Sequence, residues 1–306
     1  MDIAILIPLL AATVQSGTPI LYATLGEIIT ERSGVLNLGV EGIMIVGALT
    51  GFVVSLTTGN PWLAFFAAGA AGCLMAAVHG VVVLLFLGNQ VVSGLAITIF
   101  GLGLANYFGT PFVGQAAPGF DPFALPILGN IPALGEIFFR HDVLVYISYL
   151  LPLAIWLFLY VTRIGLNLRA TGEAPVAARA AGIGVVAYRW LGIIMGGFCM
   201  GCGGAYLSLA YTHLWTNNLT GGRGWIAVAL VIFSFWRPQR AVFGAYLFGG
   251  IMAVQLRLQA SGTTIPSSLL LMLPYTLTIA VLVFSSWRRG STGEPAALGT
   301  TIEPRQ

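Results

Sequence analysis

Apolar residues fall along this chain in long blocks separated by short polar punctuation, with neither the three-to-four spacing of a half-buried helix nor the alternation of a half-buried strand. A helix needs about 20 consecutive apolar residues to cross the hydrocarbon core of a bilayer. On that measure the blocks predict spans near 3–29, 41–58, 61–87, 90–110, 143–162, 189–211, 223–236, 240–258 and 267–287. The expected fold is all-α, a polytopic transmembrane helical bundle of about nine spans, eight to ten being the range. Gly17-Thr18-Pro19 interrupts the first block and opens the prospect of a broken helix there. The seventh block, between Arg223 and Arg237, suits a half-helix or an extension back through 216–222.

Composition sharpens this picture. Hydrophobic residues make up 58% of the 306 and charged residues only 8%, against about 25% charged in an ordinary soluble domain. Between Glu41 and Asp121 lie 79 residues without one Asp, Glu, Lys or Arg. No water-facing surface can be built over that length, which excludes a soluble enzyme and a nucleic-acid binder. All 13 basic residues are Arg. Without Lys the chain has no Walker A motif and no Schiff-base nucleophile. No catalytic set, cofactor or metal site is expected, because His79, His141 and His213 are scattered one per region. Cys199-x-x-Cys202 lies in a run of small residues, Gly196 to Gly204, and reads as close helix packing. Asp2 stands where a cleaved signal would carry basic residues, so the N-terminus reads as a span.

The arginines orient the spans. Four lie in 163–189, two in the turn 237–240, and Arg288-Arg289 open the tail. The positive-inside rule places all three sites in the cytoplasm, which gives an N-out, C-in topology. Residues 1–289 then form one transmembrane domain. Within it, 111–142 is an outer loop, whose five prolines predict a folded cap with short helices. Residues 163–189 form a cytoplasmic loop, and 290–306 a disordered tail.

Four stretches could carry function. In 31–42, polar residues are interleaved with apolar ones and glycines. That is either a turn with an Arg32–Glu ion pair, or a broken or re-entrant element with Asn37 and Glu41 facing a solute path. Asn89, Gln90 and Ser93 open the fourth span and Asn106 lies near its other end; they either tie helices together or line a path for a neutral hydrogen-bonding solute. In 165–183, Pro175 suits the first position of a helix, Glu173 its positive end and Gly182 its stop, with a small face of Ala174, Ala177, Ala178 and Ala181. So short a helix calls for a docking partner. Gly221-Gly222-Arg223-Gly224-Trp225 permits a break at the membrane interface.

At these same stretches the sequence resembles the permease subunit of a bacterial ATP-binding-cassette importer. The superfamily is that of branched-chain amino acid and ribose permeases, in its nucleoside-type branch served by basic membrane lipoproteins. The matching blocks are GEIITERSGVLNLGVEGIMIVGA (26–48), NQVVSGLAITIFGLGL (89–104), LRATGEAPVAARAAGI (168–183), GGAYLSLAY (203–211), GRGWIAVALVIF (222–233) and FGAYLFGG (243–250). The resemblance implies that 173–182 is the helix that docks in a groove of the ATPase. Gly172, Glu173, Pro175, Ala177, Ala178, Ala181 and Gly182 are then the coupling residues, with Ala174 where the family's Gly-Glu-x-Pro pattern often has Asn. It also implies a separate ATPase, a second homologous permease in a heterodimer, an extracytoplasmic solute-binding lipoprotein, and residence in the bacterial inner membrane. The implied cargo is a small neutral polar solute, a nucleoside first, with a simple sugar such as ribose or a branched-chain amino acid as alternatives. An ion-coupled secondary transporter is a further alternative, although spans two to four have no interior carboxylate beyond Glu41 at the very start.

Overall fold

The computed structural model describes residues 3–263, 265–266, 269–270, 272–287 and 293–300. The chain forms α1 (Ile3–Arg32), α2 (Val40–Thr58), α3 (Pro61–Gly80), α4 (Gln90–Gly109), α5 (Leu134–Phe138), α6 (Val143–Val161), α7 (Arg163–Glu173), α8 (Pro175–Ala180), α9 (Val185–Tyr206), α10 (Arg223–Phe233), α11 (Pro238–Ala260) and α12 (Leu273–Trp287). Among the described residues, seven helices are long and apolar enough to cross a membrane: α1 to α4, α6, α9 and α11, with short π turns extending α3 and α9. At a rise of 1.5 Å per residue, the 11 residues of α10 reach roughly 17 Å, about half of a hydrocarbon core.

Polar side chains start the helices as the sequence pattern requires. Asn60 accepts the amides of Trp62 and Leu63 ahead of Pro61, Asn89 accepts that of Val92, and Asp142 accepts those of Leu144 and Val145. Gly17-Thr18-Pro19 does not break α1. Its glycine serves packing instead: a Cβ on Gly17 would lie 2.8 Å from the Ala245 carbonyl oxygen, and one on Gly249 would lie 2.5 Å from the Gly17 nitrogen. Helices α1 and α11 therefore cross backbone to backbone.

Helix α9 is the hub, packed on α1, α2 and α3. Its glycines permit this. A Cβ on Gly196 would meet the Gly26 carbonyl oxygen at 2.7 Å, one on Gly201 that of Ala68 at 2.3 Å, and one on Gly204 that of Met44 at 1.9 Å. Close approach of small residues replaces the hydrophobic effect as the packing force in lipid. Cys199 and Cys202 are free thiols within this contact region.

The loop 111–142 is folded. It holds 3₁₀ turns at Thr110–Phe112 and Leu128–Asn130, helix α5, and a two-residue antiparallel ladder, β1 (Phe123–Ala124) with β2 (Arg140–His141). A bridge between Ala116 and Leu214 ties it to the segment after α9. The loop 163–189 is mostly helical, because Thr162 caps α7 and Leu168 and Thr171 turn inward on it.

The tail differs from expectation where it is described. Residues 293–300 make a turn rather than a disordered segment. Leu298 packs against the core, the Ala297 amide donates to the Gly172 carbonyl at 2.8 Å, and the Thr300 carbonyl accepts from the buried Arg189 guanidinium at 3.1 Å. Three consecutive apolar residues, Ala296 to Leu298, and an otherwise unserved arginine give this piece something to bind. Residues 290–292 and 301–306 lie outside the described residues, as do Arg288 and Arg289.

Candidate functional site

Residues 33–39, between α1 and α2, are non-helical yet mostly buried, so their backbone groups need partners that no helix supplies. Side chains from four directions provide them. The Leu36 amide donates to Gln90 Oε1 at 2.7 Å, and the Leu36 carbonyl accepts from His79 Nε2 at 3.1 Å. The Asn37 amide donates to Glu27 Oε1 at 3.1 Å, and the Gly39 amide to Asn37 Oδ1 at 2.8 Å. Thr98 donates to the Leu38 carbonyl at 2.9 Å, and Thr171 to the Ser33 carbonyl at 3.3 Å. Because Leu36 O can only accept, His79 holds its proton on Nε2, and Nδ1 accepts from the Ser93 hydroxyl at 2.9 Å. Glycines complete the fit: a Cβ on Gly94 would lie 2.5 Å from the Leu38 nitrogen.

A second break, 212–222, precedes α10, and Glu41 joins it to the first. Glu41 Oε1 accepts the Thr220 hydroxyl at 2.5 Å and the Gly222 amide at 2.9 Å, and Oε2 accepts the Gly224 amide at 2.6 Å. The side chain at the start of α2 thus caps the N-terminus of α10, satisfying donors that the helix leaves orphaned. Gly222 takes φ +83°, which admits the tight entry. Farther along α4, Asn106 and Asn218 exchange two hydrogen bonds, at 3.1 and 3.3 Å.

These placements sort the six sequence-chosen path residues. Asn37, Glu41, Gln90 and Ser93 are buried and committed to the two breaks. Asn89 is exposed at the tip of α4, and Asn106 is half-buried beside exposed Tyr107. Thr98, Thr220 and Glu27 escaped the sequence reading. Thr98 and Glu27 stood out only as polar residues inside apolar blocks, which many packing residues share, and Thr220 lies in a polar stretch.

The elbow α7–α8 lies against the end of α1. Arg32 pairs with Glu173 of this elbow at 3.4 Å rather than with a neighbouring Glu, and its guanidinium also donates to the Trp236 carbonyl and to Tyr160. Glu31 meanwhile accepts the indole N–H of Trp236. Gly172 presses on the Arg32 carbonyl so closely that a Cβ would lie 2.3 Å from it. Pro175 opens α8, and Gly182, at φ +79°, ends the turn after it. Ala178 is turned into the chain's own packing at 4% exposure, whereas Ala174, Val176, Ala177, Ala180 and Ala181 are exposed. Of the small face read from the sequence, Ala178 is the buried member.

A family model described as branched-chain amino acid transport system / permease component matches residues 9–282. The chain belongs to this family. It is similar to a Haloferax volcanii protein provisionally named a glucose ABC transporter permease, TsgC13, at 44% identity over 95% of each chain. It is similar to the guanosine ABC transporter permease protein NupQ of Bacillus subtilis at 36% identity, over 92% of this chain and 93% of that one. It is also similar to the nucleoside ABC transporter permease protein NupC of Lactococcus lactis subsp. cremoris at 34% identity, over 87% and 88%. No solved structure matches. The permease is a multi-pass membrane protein and a non-catalytic subunit, with ATP hydrolysis on a separate chain. In this permease the two helix breaks and the elbow form one connected structure: Arg32 ends α1 beside Glu173, and Glu41 begins α2 beside α10.

Proposed function

We propose that this permease is the membrane subunit of an importer that carries a nucleoside, delivered by an extracytoplasmic binding lipoprotein and driven by an ABC ATPase. In this reading α10 and α12 complete nine crossings, N-out and C-in, in the cell membrane. The loop 111–142 then faces the binding protein and α8 faces the ATPase. A second, homologous permease pairs with this one, and the solute passes along their interface with no covalent chemistry on the protein. Asn89 and Asn106 are the path candidates open to a solute. Asn37, Glu41, Gln90 and Ser93 act on the path by holding the breaks in shape.

The observation that carries the reading is the elbow. Force on the exposed face of α8 reaches α1 through Gly172 and the Glu173–Arg32 pair, α4 through the 33–39 break, and α10 through Glu41. The guanosine and nucleoside permeases among its relatives support the cargo. The 44% identity to a protein provisionally named for glucose supports a sugar as the second reading. ATP-driven uptake by the assembled importer in proteoliposomes, with labelled guanosine, glucose and leucine offered in turn, separates them. Guanosine uptake that unlabelled glucose does not compete bears out the first reading, and the reverse pattern replaces it with the second.

A further inference from the structure

At the C-terminal ends of α1, α6 and α7 and the start of α11, a cavity of about 730 Å³ collects four of the chain's arginines, Arg32, Arg169, Arg237 and Arg240, against two carboxylates, Glu173 and Glu294. The charges are unevenly used. Arg32 is committed to Glu173 and to the Trp236 carbonyl. Arg169 donates to the Leu159 carbonyl and lies over the Tyr160 ring, 4.5 Å from its centroid. Arg240 rests on the Phe235 ring at 5.1 Å, and Arg237 is exposed. Among the described residues, neither of these last two guanidiniums has a hydrogen-bond acceptor. The pocket therefore keeps an excess of positive charge with free, fork-shaped donors, which match phosphate oxygens in pairs.

The pocket's position says where the phosphate comes from. Two apolar stripes run into it. On α11, Arg240 continues the exposed row Phe243 and Leu247, spaced three and seven residues on. On α6, the exposed Leu153 and Leu157 lead to Trp156 and Tyr160, whose rings stack at 6.2 Å on the pocket wall. Aromatic rings and arginines at the end of an exposed apolar surface are the arrangement of a membrane interface. An acyl chain lying on these stripes would bring its headgroup to Arg237 and Arg240.

We propose that this cavity is a site for a phosphate group, supplied by an anionic phospholipid of the adjoining leaflet. Basic pockets between membrane helices hold such headgroups through charge and bidentate hydrogen bonds. The site anchors the base of α6 and α11 next to the elbow. The proposal rests on the chain spanning a membrane and not on which solute it carries.

The full chain, extracted from vesicles of equal parts phosphatidylglycerol and phosphatidylcholine, is examined by native mass spectrometry for bound lipid. Wild-type protein is expected to retain phosphatidylglycerol preferentially. Each Arg near an anionic surface contributes roughly fivefold to binding, so R237Q/R240Q should weaken that retention about thirtyfold. R237K/R240K should keep most of it. Thermal unfolding with inorganic phosphate tests the source: stabilisation that R237Q/R240Q abolishes, without preferential lipid retention, assigns the same site to a soluble phosphate. Equal phosphatidylglycerol retention by wild type and R237Q/R240Q, with no phosphate effect, overturns the proposal and leaves the pocket to an acidic protein segment. No ATPase, binding protein or solute enters the measurement, so its failure and that of the nucleoside reading are distinguishable.

Discussion

Glu41 and Gly224 lie 183 positions apart in sequence and meet at van der Waals limits. The Gly224 amide donates to Glu41 Oε2 at 2.6 Å, and a Cβ on Gly224 would stand 2.5 Å from the Glu41 Cα. One residue begins α2 and the other lies in the first turn of α10, so one carboxylate ties the two chain breaks together. The carboxylate supplies at once the acceptor and the negative end that a helix N-terminus favours.

Removing that carboxylate should destabilise the bundle. Glu41→Ala leaves the Thr220 hydroxyl and the Gly222 and Gly224 amides without their acceptor, and a buried unpaired polar group costs about 1–3 kcal/mol. Glu41→Gln keeps one acceptor oxygen and should fall between. Thermal unfolding of the purified chain measures this; an Ala variant that melts with the wild type would show that α10 needs no cap.

Two glycines of similar appearance in the sequence should behave oppositely. Gly204→Ala drives a Cβ into the Met44 carbonyl at 1.9 Å, whereas Gly103 on α4 has nothing within 4 Å of the same position. Overpacking typically costs about 1–3 kcal/mol, and Ala is favoured over Gly in a helix by up to about 1 kcal/mol. Gly204→Ala is therefore expected to lower the unfolding midpoint and Gly103→Ala to leave it level or raise it. Equal effects at both sites would contradict the α2–α9 contact.

Cysteine reactivity should separate framework from path. In a background without Cys73, Cys199 and Cys202, single cysteines at Asn37, Gln90 and Ser93 are expected to resist small polar thiol reagents, since these sites are buried. Cysteines at Asn89 and Asn106 should react, with rates that change when nucleotide or loaded binding protein is added. Rapid labelling at Ser93 in an active transporter would place the path through the first break instead.

The long apolar helices α2 to α4 were legible because charge is absent from them: the 79 residues after Glu41 leave little choice of environment. The role of the polar residues at their edges was not. Gln90 and Ser93 carry the same groups whether they face a solute or hold the first break, Gln90 on the Leu36 amide and Ser93 through His79, and only the fold of 33–39 decides between them. The partner of Arg32 was equally hidden, because Glu173 is 141 residues away while Glu31 is adjacent. Pro175 and Gly182 did mark the ends of the α8 turn, since proline fixes φ at a helical value and glycine admits the φ of +79° that stops it. Ala178 looked like its neighbours because burial leaves no trace in a run of alanines.

The coupling role of the elbow is tested most directly by comparing Ala181→Trp with wild type in the reconstituted importer, measuring ATP-driven solute uptake and ATP hydrolysis stimulated by loaded binding protein. Ala181 is exposed on the outer side of the elbow, so Trp there should leave insertion and the unfolding midpoint within about 0.5 kcal/mol of wild type. Ala178→Trp, which intrudes on the chain's own packing, serves as the contrasting variant and should unfold earlier. The account predicts a stable, normally inserted Ala181→Trp protein that has lost uptake, with either no ATPase bound or hydrolysis no longer stimulated. Wild-type uptake by Ala181→Trp, and by Ala177→Trp beside it, would contradict it.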